Sequence, residues 1–159
     1  MNSSRLSPVA AWGLVALQFG LVALLALLPY GTLWARDPLV MTTGFVGIFS
    51  GVAIALVAVA GLGRTLTASP VPKPGGELVT TGIYAWVRHP IYTGIILAAL
   101  GLAYIGASVG HLIAAGGLIV LLMVKSRLEE RMLLAQYRDY AAYAARVGRL
   151  IPGFGRIRP

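Results

Sequence analysis

The 159-residue chain reads as an all-α integral membrane domain with about four transmembrane helices and a polar pocket on one side. Three observations predict this. Hydrophobic residues make up 58% of the chain and charged residues only 11%, where ordinary globular domains carry roughly a quarter charged. The mean hydropathy is +0.82. The few charges are also segregated, with no Asp, Glu, Lys or Arg in Leu6–Ala35, Pro38–Gly63 or His89–Val124. Together these exclude a disordered chain, a coiled coil and a water-facing domain. The absence of cysteine excludes disulfides, thiolate metal sites and a cysteine nucleophile.

A helix crossing the bilayer core needs about 20 mostly apolar residues. The first uncharged gap predicts a span over about 8–28, and the second a span over about 39–62. A cleaved signal peptide is the competing reading for the first. Its apolar stretch exceeds the usual h-region of about 7–15 residues, so a retained helix is expected. The third gap is too long for one span and short for two. Gly106-Ala107-Ser108-Val109-Gly110 offers a turn in its middle, which predicts a hairpin with arms over about 88–105 and 111–127. The first arm is short and must start earlier, sit in a thinned membrane or pack inside the protein. His111 is expected at a helix start, facing water.

The remaining charges sort by side. Arg5, the middle loop with Arg64, Lys73, Glu77 and Arg88, and a tail with eight basic and three acidic residues all fall on one face. On the other face Arg36 and Asp37 cancel. The positive-inside rule then makes the N-terminus, middle loop and C-terminus cytoplasmic, in a multi-pass protein of a membrane such as the bacterial inner membrane. On this reading the net charge of +8 records topology and attraction to anionic membrane lipids. Nucleic acid is not expected as a partner, because no basic–aromatic platform appears. The spans hold no ionisable residue, which speaks against a transporter subunit. Two distant histidines predict no metal site.

Two polar segments lie outside the bilayer, a loop over 63–88 and a tail helix over 125–147. The run Pro70-Val71-Pro72-Lys73-Pro74-Gly75-Gly76 cannot be helix or central strand. The apolar, aromatic stretch from Glu77 to Tyr92 lies between spans and is expected to fold back on the helices. Pro90 suits a first helical turn, and the free N–H groups near Ile91 and Tyr92 make an anion site. In the tail, Arg127, Glu130 and Leu133 fall on one helical face. Tyr137, Tyr140, Ala144 and Val147 continue an apolar stripe that lies in the interface or caps the bundle.

Taken together, Leu78-Val79-Thr80-Thr81-Gly82-Ile83-Tyr84, Arg88-His89-Pro90-Ile91-Tyr92-Thr93-Gly94, Glu129-Glu130, Tyr140-Ala141-Ala142-Tyr143 and Arg149-Leu150-Ile151-Pro152 resemble the isoprenylcysteine carboxyl methyltransferase family. That family sits in a wider group with the phospholipid N-methyltransferases. The resemblance covers about Gly75 to Phe154. It implies one membrane-embedded methyltransferase domain over 1–159 that uses S-adenosylmethionine and releases S-adenosylhomocysteine. By position it puts cofactor contacts on Gly76, Glu77, Leu78, Val79, Tyr84, His89, Pro90, Ile91 and Tyr92, and on Glu130 in preference to Glu129. It implies a substrate-holding arginine at Arg127, with Arg131 one turn along as the alternative. Leu78, Val79, Tyr84 and Trp86 offer walls for adenine.

The implied acceptor is a lipophilic small molecule or lipidated substrate presenting a carboxylate. An amine acceptor, as in phospholipid N-methylation, would have to lose a proton, and Glu129 or His89 could take it. An NADPH-dependent sterol-like reductase shares the Arg-His-Pro pattern, and a non-enzymatic membrane scaffold is the third reading.

Overall fold

The computed structural model describes residues 7–67, 71 and 76–157, with the backbone alone at residue 64. The expectations attached to Arg5, Lys73, the Arg64 side chain and the prolines at 70, 72 and 74 lie outside the described residues.

Among the described residues five α-helices follow one another: α1 (Pro8–Leu27), α2 (Pro38–Leu62), α3 (Pro90–Gly106), α4 (Val109–Gln136) and α5 (Tyr140–Arg146). Among the described residues there is no strand, only an isolated parallel bridge between Val87 and Gly148. Helices α1, α2 and α4 are long and apolar enough to cross a membrane, and α3 is an apolar helix of 17 residues. The protein is all-α and of integral-membrane type.

Local chemistry sets the helix starts. The Ser7 hydroxyl accepts the Ala10 N–H at 3.2 Å ahead of Pro8. The Asp37 carboxylate accepts the Val40 N–H at 2.8 Å ahead of Pro38. Each pairs a side-chain cap with a proline whose missing N–H costs nothing at that position. The turn in the third gap forms at Ala107, which adopts a left-handed conformation (φ 46°) and is fully buried.

Helix α3 is short because it packs inside the protein. It lies along α2 through facing glycines. A Cβ at Gly94 would stand 2.4 Å from the Gly51 carbonyl oxygen, and one at Gly101 2.5 Å from that of Gly44. Small residues permit this approach, and dispersion between backbones holds it. Leu25 of α1, Ala99 and Ala103 of α3, and Leu118 and Leu122 of α4 form the core. The outer face of α2, with Phe45, Phe49 and Leu56, is exposed and suited to lipid.

At the end away from the polar segments, the Gly31 N–H donates to the Gly106 carbonyl at 2.8 Å and the Leu33 N–H to that of Ala107 at 2.9 Å. His111 does not face water as expected. It is 1% exposed, its Nδ1 lies 2.8 Å from the Ser108 hydroxyl, and its ring stacks on Tyr30. The α1–α2 connection folds over it.

The tail differs from a single helix over 125–147. Its first part is the C-terminal end of α4, which runs unbroken to Gln136. Tyr137 is extended (φ −118°, ψ 120°) and the chain turns before α5. The turn lets Tyr140, Tyr143 and Ala144 pack against Leu78 and Leu133. A straight helix would have carried them away from the bundle.

Candidate active site

At the polar end, α1, the end of α2, the middle loop, the first turn of α3, α4 and α5 enclose a cavity of about 380 Å³. Gly76, Glu77, Leu78, Val79 and Tyr84 line it from the loop. His89, Pro90, Ile91 and Tyr92 line it from the start of α3, and Glu129 from α4. The structure thus brings together every loop and α3 residue that the sequence singled out for cofactor contact except Trp86.

Glu130 is not among the lining residues. It is 3% exposed, and its two oxygens are taken by two guanidinium groups. Oε1 accepts from Arg88 Nε at 2.7 Å and Nη2 at 2.5 Å, and Oε2 accepts from Arg149 Nε at 2.8 Å and pairs with Nη2 at 2.7 Å. Arg88 further donates to the carbonyls of Ala144 (3.0 Å), Gly155 (2.9 Å) and Val147. Glu130, expected to meet the cofactor, thus lies outside the cavity lining. It is the centre of a buried clamp. Backbone bonds extend that clamp, from the Arg88 N–H to Gly148 (2.9 Å) and from the His89 N–H to Arg149 (3.1 Å). The Thr93 hydroxyl adds a bond to the Leu150 carbonyl at 2.7 Å. The tail is thereby tied to the start of α3, and through it the cavity wall is set.

Glu129, one residue earlier and about 100° around the helix, points the other way. Its Oε2 accepts from the Tyr92 hydroxyl at 3.0 Å and lies 3.6 Å from His89 Nδ1. The His89 ring stacks parallel to Tyr92, with centroids 5.4 Å apart. His89 Nε2 is buried without a hydrogen-bond partner, 3.5 Å from Glu130.

Tyrosines finish the wall. The Tyr143 hydroxyl donates to the Tyr84 carbonyl at 2.6 Å, the Tyr84 hydroxyl to that of Ala58 at 3.2 Å, and the Tyr137 hydroxyl to that of Gly76 at 2.7 Å. Tyr140 lines the cavity with a buried hydroxyl that has no partner. Burial pushes the Tyr143 phenol up to about 12, against a smaller opposing effect of Arg88. Burial also raises Tyr84 and Tyr140, with further upward pressure from the charges of Glu129 and Glu130 respectively. All three stay neutral at physiological pH; Tyr84 and Tyr143 donate hydrogen bonds, and Tyr140 does not.

Arg127 and Arg131, expected to hold the substrate, are exposed and lie outside the cavity lining. Trp86 is 69% exposed and forms no wall. The cavity lining instead includes a residue that sequence reasoning assigned to the end of a span. Lys125 is 1% exposed, donates from Nζ to Gln18 Oε1 of α1 at 2.5 Å, and sits 5.3 Å above the Tyr92 ring. The bundle interior therefore holds an ionisable group after all. Two signals were available: Gln18 is the one side-chain amide in the first span, and Lys125 precedes Glu129 by one helical turn. A second, apolar cavity of about 230 Å³ adjoins the first between α1, α2 and α3, and Gln18, Phe19 and Ile95 line both.

Residues 39–140 match the family model described as phospholipid methyltransferase. The cobalt-zinc-cadmium resistance protein CzcN of Cupriavidus metallidurans is 31% identical over 125 residues, 77% of this chain and 53% of that protein. A methanethiol S-methyltransferase of Mycobacterium tuberculosis is 44% identical over 62 residues, 36% of this chain and 25% of that protein. Methanethiol S-methyltransferase 1 of Bradyrhizobium diazoefficiens is 41% identical over 71 residues, 44% of this chain and 24% of that protein. The chain thus spans about half of one curated relative it matches and about a quarter of the other two. No solved structure matches it.

Proposed function

The chain belongs to the phospholipid methyltransferase family, and on that premise we propose that it transfers a methyl group from S-adenosylmethionine to an acceptor drawn from the membrane. The observation that carries this reading is the convergence of the middle loop, the first turn of α3 and Glu129 on one cavity, beside an apolar cavity among the spans. Its volume of about 380 Å³ falls in the ~300–1,000 Å³ range of small-molecule sites. The donor set also suits the donor molecule. The first turn of α3 and His89 receive its carboxylate, and Glu129 receives its ammonium. Leu78, Val79 and Tyr84 flank its adenine. The orphaned Tyr140 hydroxyl, on a residue that lines the cavity, is a buried polar group that a bound ligand would satisfy.

S-adenosylmethionine supplies a methyl group on a cationic sulfonium. The protein's part is alignment, since an in-line displacement gains most from holding its reactants in contact. The buried clamp of Arg88, Glu130 and Arg149 keeps the walls in register. The relatives named methanethiol S-methyltransferase support a sulfur acceptor as one possibility for this chain, beside the carboxylate and amine acceptors of the wider group. The donor side faces the cytoplasm, where the positive-inside rule puts the polar end.

Calorimetry on the full chain in nanodiscs tests this reading. S-adenosylhomocysteine should bind in the micromolar range or tighter, and Glu129→Gln should weaken it by roughly tenfold or more, the usual loss for a charged hydrogen bond. Failure of the wild-type protein to bind would refute the reading. Labelled methyl transfer to a membrane extract, with mass identification of the product, then names the acceptor.

A further inference from the structure

We propose that Lys125, braced by Gln18, holds an anionic nucleophile of the acceptor, so that the site takes a thiolate or a carboxylate and rejects an amine. This rests on the methyltransferase reading above and narrows its substrate class.

Lys125 is a buried amine whose hydrogen bond goes to a neutral amide and which lies over the face of Tyr92. Among the described residues no carboxylate lies within ion-pair distance of it. Glu129 is the next residue of that helical face, and it is engaged by the Tyr92 hydroxyl and His89. Structural lysines buried this deeply ordinarily have a carboxylate partner, because desolvating the charge is costly. Here the partner position faces a cavity. Gln18 borders both the polar cavity and the apolar one, so the ammonium stands at their junction. An acceptor with its tail in the apolar cavity would present its head there.

The charge balance fixes the sign. The methyl donor is itself a cation at the sulfonium. An amine acceptor, which becomes more cationic on methylation, would put further positive charge between the sulfonium and Lys125. An anion there is attracted by both. For a thiol, the S–H proton leaves to water as the thiolate pairs with Lys125. The sulfonium S–CH₃ bond then breaks with its electron pair remaining on the donor sulfur, and the acceptor sulfur forms the new S–CH₃ bond. A neutral thioether and neutral S-adenosylhomocysteine result. A carboxylate reacts the same way through oxygen and gives a methyl ester.

The test uses the full chain in nanodiscs loaded with S-adenosylhomocysteine or labelled S-adenosylmethionine. Octanethiol, octanoate and octylamine serve as acceptors, and octanesulfonate and octyltrimethylammonium as unreactive competitors read by thermal shift. The sulfonate should stabilise the loaded protein and the ammonium should not. The thiol or the carboxylate should be methylated, whichever is the true nucleophile, and the amine should not. Lys125→Gln should keep S-adenosylhomocysteine affinity within about threefold while kcat/KM falls roughly 30-fold or more, as when one member of a buried charge pair is removed. Lys125→Arg should retain the preference for anions.

Preferential amine methylation, equal stabilisation by both competitors, or unchanged transfer in Lys125→Gln would overturn the proposal. A wild-type protein that binds no S-adenosylhomocysteine overturns the methyltransferase reading and this proposal with it. Binding without anion preference overturns only the role of Lys125. Should Lys125→Gln fail to fold, the two competitors on the wild-type protein decide.

Discussion

Two adjacent glutamates make opposite predictions. Glu130→Gln removes the negative charge between Arg88 and Arg149, which together supply four short nitrogen–oxygen contacts of 2.5–2.8 Å. Arg88 is 5% exposed and cannot turn to water without pulling its other bonds apart. Breaking a buried pair from one side costs about 3–5 kcal/mol, mostly from the stranded charge. In a chain of this size about 1 kcal/mol moves Tm by about 2–4 °C, so the variant should melt on the order of 10 °C lower. Glu129→Gln faces the cavity and keeps an oxygen for the Tyr92 hydroxyl. It should melt within a few degrees of wild type, at most about 1 kcal/mol on the same scale, while losing S-adenosylhomocysteine affinity. Thermal unfolding in matched detergent, followed by calorimetric binding, reads both quantities. If Glu130→Gln melted like the wild type and lost binding, while Glu129→Gln lost stability and kept binding, the assignment of the two residues would be refuted.

Other consequences follow from the same geometry. Arg127→Ala and Arg131→Ala, both outside the cavity, should leave S-adenosylhomocysteine affinity and methyl transfer within about twofold, as surface changes usually do. Gly94→Ala drives a methyl to 2.4 Å from the Gly51 carbonyl oxygen and should cost about 1–3 kcal/mol by overpacking, visible as a lower Tm. Gly116→Ala, where a Cβ meets nothing within 4 Å, is the matched control. The Tyr143 phenol rises from 10.0 to about 12 on folding. A raised acid favours its neutral form in the native state. Its stabilising effect is therefore full below about pH 10 and is lost as pH climbs from 10 towards 12. Tyr143→Phe should flatten the fall of Tm across that window, and an unchanged slope would contradict the shift.

The spans were legible because a bilayer imposes a composition rule that needs no tertiary information. Three gaps without charge mark them, and the prolines at 8, 38 and 90 mark their starts. The resemblance then drew the loop and the tail toward one site, and the cavity lining includes each loop and α3 position so singled out except Trp86. Sequence was weakest on α4. Lys125, Arg127, Glu129, Glu130 and Arg131 are all charged, so hydropathy says nothing about which of them faces inward. Of the Arg127–Glu130–Leu133 face, only Leu133 reaches the cavity.

The amino-acid sequence by itself therefore determined the class: a membrane-embedded helical protein with its polar chemistry at one end. That follows from the energy of desolvating charge, which acts residue by residue along the chain. Only the tertiary structure decided where each charged side chain of α4 lies. Packing of α4 against α1, α3 and the returning tail sets its rotation, and one residue step turns a side chain by about 100°. That rotation puts Glu130 among Arg88 and Arg149, Glu129 and Lys125 on the cavity, and Arg127 and Arg131 outside.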